Sequence, residues 1–168
     1  SAPLHDIGKV GIPDRILLKP GKLTAAEYEI MKTHTTLGRD AISKAETLFG
    51  VSSSFLRFAK EIAYSHQEKW DGSGYPQGLA GERIPLAARL MAVADSYDGL
   101  ISQRVYKKAH SHAEAVAILA AHRGTHFDPD IIDAFLEVQS DFQGIARRFA
   151  DAPIDEAAEA ERVRLILG

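Results

Sequence analysis

Thr24-Ala25-Ala26-Glu27-Tyr28-Glu29-Ile30-Met31-Lys32-Thr33-His34 opens a long helical signal. Thr24 and Glu27 have the spacing of a capping box, in which hydroxyl and carboxylate satisfy each other's free backbone amides. Tyr28, Met31, Leu37 and Ile42 follow at roughly helical spacing, so one helix is expected from about Ala25 to Leu48, with His34 in its middle. Ser53 and Ser54 cap a second helix, whose stripe of Phe55, Leu56, Ala59, Ile62 and Ala63 stops near His66. Pro85 suits the first turn of a third, Leu86 to about Leu100, apolar on most sides and so expected to be central. Ser111 caps a helix from Ala113 to Ala121, and Asp128-Pro129 opens one reaching about Gln139. Ile154, Ala158, Val163 and Leu167 mark an amphipathic tail helix. The pattern is an all-α bundle of about five to seven helices.

The chain has 168 residues, 45% hydrophobic and 26% charged, the balance of one globular domain with a proper core. It has no cysteine, which excludes disulfides, thiolate metal sites and a cysteine nucleophile. A net charge of −3 argues against a protein that wraps a DNA or RNA polymer, while leaving a local phosphate pocket open. No apolar run approaches the roughly 20 residues of a membrane span, and the expected location is cytoplasmic. Ser1-Ala2-Pro3-Leu4-His5 has no initiator Met and runs straight into a polar motif, so the chain reads as a fragment of something longer.

Chemistry is concentrated in a few residues. His5-Asp6 pairs an imidazole with a carboxylate and is followed by Ile7-Gly8-Lys9, where the glycine is expected to end a helix and free the lysine. His34, His66 and Asp95 lie on three further helices. An ionised Asp95 on so apolar a helix needs a cation or a base beside it. Helical bundles build metal sites from such facing side chains, and mixed imidazole and carboxylate donors suit Fe, Mn, Zn, Co or Ni better than Ca or Mg. A shared carboxylate such as Asp6 can bridge two metals, and such a pair can clamp a phosphate and activate water. Between Gln67 and Pro85, glycines at 72, 74, 78 and 81 with prolines at 76 and 85 dictate a long shaped loop.

His5-Asp6-Ile7-Gly8-Lys9, His34, and His66-Gln67-Glu68-Lys69-Trp70-Asp71-Gly72-Ser73-Gly74-Tyr75-Pro76, with Ala94-Asp95 and Arg104-Val105-Tyr106-Lys107 after them, resemble the HD-GYP family of HD phosphohydrolases. The resemblance covers roughly Ala2 to Val138. It implies an HD-type bundle over residues 1–150, followed by a helical tail over 151–168, and a cytoplasmic phosphodiesterase opening the bacterial second messenger cyclic di-GMP to linear pGpG or GMP. By the same resemblance His5, Asp6, His34, His66 and Asp95 are metal ligands for two divalent transition ions, Fe or Mn before Ni, Co or Zn. His5, Asp6 and Lys9 are then catalytic, and Lys9, Arg104, Lys107 and Tyr75 meet the substrate. Gln67 stands where many relatives carry a second histidine, and a carboxamide is a much poorer ligand, which argues against a third metal. The resemblance further implies an upstream helix with a metal-binding histidine, a GGDEF-domain partner at the Gly-Tyr-Pro loop and a possible homodimer. The alternative is a catalytically impaired signalling module that binds nucleotide or that partner.

The remaining candidates have plainer readings. Glu68 and Asp71 divide evenly between shaping the loop through backbone amides and taking part in chemistry. Asp98 suits a local cap or pair. His110, His112, His122 and His126 read as packing or surface histidines, not as a second metal site. Trp70 and Tyr75 suit stacking on a guanine or anchoring the loop to the core. Lys60, Lys69 and Arg89 read as solvated charge.

Overall fold

A computed structural model describes residues 4–50, 53–102 and 109–150, so Arg104, Lys107 and the tail expected from residue 151 lie outside the described residues. A short 3-10 turn, Ile7–Gly11, leads into α1 (Asp14–Leu17), α2 (Ala25–Lys32), α3 (His34–Phe49) and α4 (Ser54–Ser65). After the long loop and a second 3-10 turn, Gly81–Arg83, come α5 (Leu86–Ile101), α6 (His112–Ala121) and α7 (Pro129–Ala150). The described residues hold no strand, only an isolated bridge between Arg123 and Phe127, and the all-α expectation stands. No helix among them is long and apolar enough to cross a membrane. The chain divides into two compact units between Leu136 and Glu137, and the site described below lies in the first.

The caps follow the sequence. Thr24 with Glu27 and Ser111 with Glu114 form full capping boxes, and Ser53 accepts from Leu56 N–H. Gly50 closes α3 in the left-handed region at φ 61°, where its N–H bonds the Glu46 carbonyl. The single helix expected from Ala25 to Leu48 is instead two, interrupted at Thr33, whose hydroxyl and amide both turn back to the Ile30 carbonyl. Thr33 thereby competes with the regular ladder, and His34 starts a helix rather than lying mid-helix. Asp128-Pro129 opens α7 as expected, but the helix continues past Gln139 to Ala150.

What positions the site is a column of small residues. A Cβ on Gly8 would stand 1.9 Å from the His34 carbonyl oxygen and 2.5 Å from Gly38 N, so the 3-10 turn touches the backbone of α3. Gly38 in turn faces Ala63 Cβ of α4 at 3.4 Å from its own would-be Cβ. Gly8 therefore permits close approach within a turn and does not end a helix. Ile42, Ala59 and Ala63 form a buried cluster against which Leu4 and Leu56 pack. On α5 the buried side carries Ala88, Ala92, Val93 and Tyr97, whereas Leu86 and Leu90 are 57% and 51% exposed. The helix packs against both α4 and α6, as expected of a central one, but leaves Leu86 and Leu90 at the surface.

The Gln67-to-Pro85 loop is fixed from both sides. Trp70 N–H donates to the His126 carbonyl and Asp71 N–H to the Thr125 carbonyl. Arg89 donates to Ile84 O, lies over the Trp70 ring, and pairs with buried Asp128 at 2.6 Å. The expectation of a solvated Arg89 is therefore corrected. Its Nη1 donates to a carboxylate at the start of α7 that sequence spacing alone does not pair with it. Lys60, also expected to be solvated, meets Glu46 on α3. Truncating Arg89 leaves the buried Asp128 carboxylate with no cation, held only by the Asp130 N–H, so Arg89→Met is expected to cost about 3–5 kcal/mol. Lys60→Met, which breaks a more exposed pair, is expected to cost under about 1 kcal/mol. Urea denaturation of both variants measures the contrast.

Candidate metal centre

Asp6, His34 and His66 each stand one turn, or less, from the small-residue column. His34 precedes Gly38 by four residues and His66 follows Ala63 by three, so each imidazole shares its helix face with the contact that brings the helices together. Asp6 lies two residues before Gly8. The result is that Asp6, His34 and His66 offer ligand atoms all within 4.8 Å of one another.

The two buried histidines are set up alike. His34 Nδ1 lies 2.7 Å from the Met31 carbonyl and His66 Nδ1 3.0 Å from the Ile62 carbonyl, so in each ring the Nδ1 proton is taken up by the backbone. The opposite nitrogen then carries a lone pair, and both Nε2 atoms are buried without a hydrogen-bond partner. They face Asp6 Oδ1 at 3.6 and 3.8 Å, too far for hydrogen bonds. Donors roughly 2.1 Å from a shared ion stand roughly 3–3.5 Å apart, so these spacings suit a common cation. Two orphaned, converging lone pairs beside a carboxylate are what a metal site looks like before binding, and the residues present fit the group.

The other carboxylate oxygen faces elsewhere. Asp6 Oδ2 accepts from Lys9 Nζ and lies 3.3 Å from His5 Nε2, which is itself 3.5 Å from Asp95 Oδ1. Asp6 thus divides its oxygens between a His34/His66 side and a His5/Asp95 side. Lys9, expected to be freed by a helix end, is instead held on Asp6.

Electrostatics keep these donors deprotonated. Burial pushes His66 down to about 4 and lowers His34 as well, so both are neutral imidazoles at neutral pH. Burial alone would raise Asp6, but hydrogen bonds from His5 and Lys9 outweigh it and hold the carboxyl well below its usual range. A hydrogen bond from His5, against burial, likewise lowers Asp95. Metal binding needs no proton removed from them first.

Tyr75 borders the group, its ring centroid 6.4 Å from that of His34. Glu68 shapes the loop that delivers it. Its carboxylate, buried at 2% exposure, accepts from Gln77 N–H at 2.7 Å and Leu79 N–H at 3.0 Å, and the even division between structure and chemistry resolves to structure. Gly74 admits no Cβ, which would meet Lys69 N at 2.3 Å, and the Tyr75–Pro76 peptide is cis. Asp71 is exposed and accepts from the Ser73 amide and hydroxyl, a local turn. Trp70 anchors the loop, through its N–H on the His126 carbonyl, its carbonyl on Gly81 N–H and its ring against Arg89. Among the described residues no second trio of histidines and carboxylates converges, and His122 and His126 serve the turn before α7. Tyr28, expected only as part of the apolar helical spacing, and Lys32 also reach the border, and their spacing of four was the available signal.

Residues 1–131 match the HD domain family. A probable cyclic di-GMP phosphodiesterase of Vibrio cholerae serotype O1 is 61% identical over 151 residues, 90% of this chain and 34% of that protein. A cyclic di-GMP phosphodiesterase of Thermotoga maritima is 46% identical over 151 residues, 90% of this chain and 39% of that protein. The 3'3'-cGAMP-specific phosphodiesterase 2 of Vibrio cholerae is 41% identical, again over 90% of this chain and 28% of that protein. The chain spans about a third of the length of these curated relatives. With the His5-Asp6 pair, the converging histidines and the Asp71-to-Pro76 loop all in place, the chain belongs to the HD domain family, in its HD-GYP branch.

Proposed function

We propose that this chain hydrolyses a phosphodiester bond of cyclic di-GMP, at two divalent transition metals, Fe or Mn, held by His5, Asp6, His34, His66 and Asp95. The observation that carries the reading is the divided carboxylate of Asp6, with one oxygen toward the unpartnered Nε2 atoms of His34 and His66 and the other toward His5 and Lys9. Such ions, when bound, neutralise phosphate charge and lower the pKa of water for in-line displacement.

Hydrolysis joins a water oxygen to phosphorus and breaks a P–O bond to ribose, whose oxygen leaves with a proton. His34 and His66, fixed at Nδ1 by backbone carbonyls, hold their donor atoms without reorganisation. Lys9 presents an ammonium beside Asp6, where a charge-assisted hydrogen bond to a phosphate oxygen strengthens as negative charge builds. Arg104 and Lys107 are assigned the other phosphate by the family resemblance. Gln67, a carboxamide and a poor transition-metal ligand, argues against a third metal. The exposed rim of the loop at Ser73, Pro76 and Gln77, backed by Glu68, is the face offered to a GGDEF-domain protein in this reading, which places the chain in the cytoplasm.

The relative that acts on 3'3'-cGAMP favours a second reading, a substrate with adenine in place of one guanine. Competition between the two cyclic dinucleotides separates them. The chain loaded anaerobically with Fe(II) or Mn(II) is expected to convert cyclic di-GMP to pGpG or GMP, resolved by chromatography. Asp6→Ala is expected to lower that rate by at least about 10²–10³-fold, the scale of one preorganised electrostatic group, with the helical circular dichroism unchanged. A rate retained in Asp6→Ala would remove the bridging assignment.

A further inference from the structure

Beside the metal-ligand candidates, α2 and the loop build a corner that the hydrolytic chemistry does not require. Tyr28 and Lys32 stand one turn apart on α2 and share a face. Tyr75 meets them from the loop, its ring 6.2 Å from that of Tyr28 between centroids and at 83° to it. Lys32 Nζ lies 5.7 Å from the Tyr28 centroid and 5.8 Å from the Tyr75 centroid, seated between two perpendicular rings. Through Tyr75 the corner adjoins His34.

The corner is open to a ligand. Tyr28 is 47% exposed, which leaves aromatic surface uncovered beside a charged group. Lys32 also pairs with Glu29 Oε2 at 2.8 Å, but an ammonium has three donors and Glu29 is itself largely exposed. Exposed tyrosine faces stack on nucleobases with little regard to sequence. The lysine supplies what stacking lacks. Guanine presents two acceptors, O6 and N7, along one edge, whereas adenine replaces the O6 acceptor with an amino donor. An ammonium that is satisfied by guanine would confront a donor in adenine.

Resting on the reading of the chain as a cyclic dinucleotide hydrolase, we infer that Tyr28, Tyr75 and Lys32 form one base-reading corner that selects guanine over adenine. One corner reads one base. A cyclic dinucleotide with a single guanine can turn to present it, and one with two adenines cannot. Affinity therefore falls slightly from cyclic di-GMP to 3'3'-cGAMP, which has one productive orientation instead of two, and steeply to cyclic di-AMP.

Calorimetric binding of these three nucleotides to the Mn(II)-loaded chain, with hydrolysis followed in parallel, tests the assignment in wild type, Lys32→Met and Lys32→Arg. Wild type is expected to prefer cyclic di-GMP to cyclic di-AMP by roughly tenfold or more, the worth of a good base-edge contact. Lys32→Met is expected to bring that ratio close to one without lowering the melting temperature, and Lys32→Arg to keep it. Lys32→Gln repeats the measurement if the methionine variant does not fold. An unchanged ratio in Lys32→Met overturns the inference, as does an equal loss for all three nucleotides, which would mark simple attraction to phosphate, or a wild type without guanine preference. Guanine selectivity that depends on Lys32 in a chain that cleaves none of the three keeps the corner and removes the hydrolase reading. Cleavage with no dependence of selectivity on Lys32 does the reverse.

Discussion

The backbone of Gly8 lies so close to the start of α3 that a single added carbon would overlap the His34 carbonyl. That approach is what carries Asp6, two residues earlier, to the mouth of the His34/His66 pair. The same column continues through Gly38 to Ala63, and His66 follows Ala63 on α4. Three chain segments are therefore brought to van der Waals contact by the absence of side chains, one turn away from where their functional side chains converge. Close packing at small residues transmits position better than a cluster of long flexible ones would, since nothing in the column has a rotamer to change.

The long loop applies the same economy of motion by other means. Its backbone is held by the carboxylate of Glu68 from within and by the carbonyls of Thr125 and His126 from the turn before α7. Arg89 ties that turn back to α5 through Asp128. A loop of this length with only one 3-10 turn has many conformations to lose, and these backbone and charge-assisted bonds offset the loss. Tyr75 consequently reaches the border of the ligand group on a fixed backbone.

Much of this was legible in the sequence because it is local. The capping boxes at Thr24 and Ser111, the serine cap at Ser53 and the glycine-rich break after His66 are short-range patterns that read directly as structure. His5, Asp6, His34, His66 and Asp95 were legible as a group because of their chemistry and their resemblance to a family; the structure converges Asp6, His34 and His66, with His5 standing between Asp6 and Asp95. The misread features are those that depend on a partner distant in the chain. Gly8 resembles a helix stop until the His34 carbonyl is seen against it. Arg89 resembles a surface charge until Asp128, 39 residues on, is folded beneath it. The break at Thr33 escaped because threonine is tolerated in helices, and periodicity passes smoothly through a single misplaced hydrogen bond.

A backbone contact, that of Gly8 with the start of α3, assembles the candidate metal group. Its most direct test is Mn(II) affinity, measured by calorimetry, in Gly8→Ala beside Gly144→Ala, where an added Cβ meets nothing within 4 Å. A loss of roughly 10–100-fold is expected in Gly8→Ala, the scale of disturbing what orients the ligands, with helical circular dichroism retained and Gly144→Ala unchanged. Wild-type affinity in Gly8→Ala would contradict it.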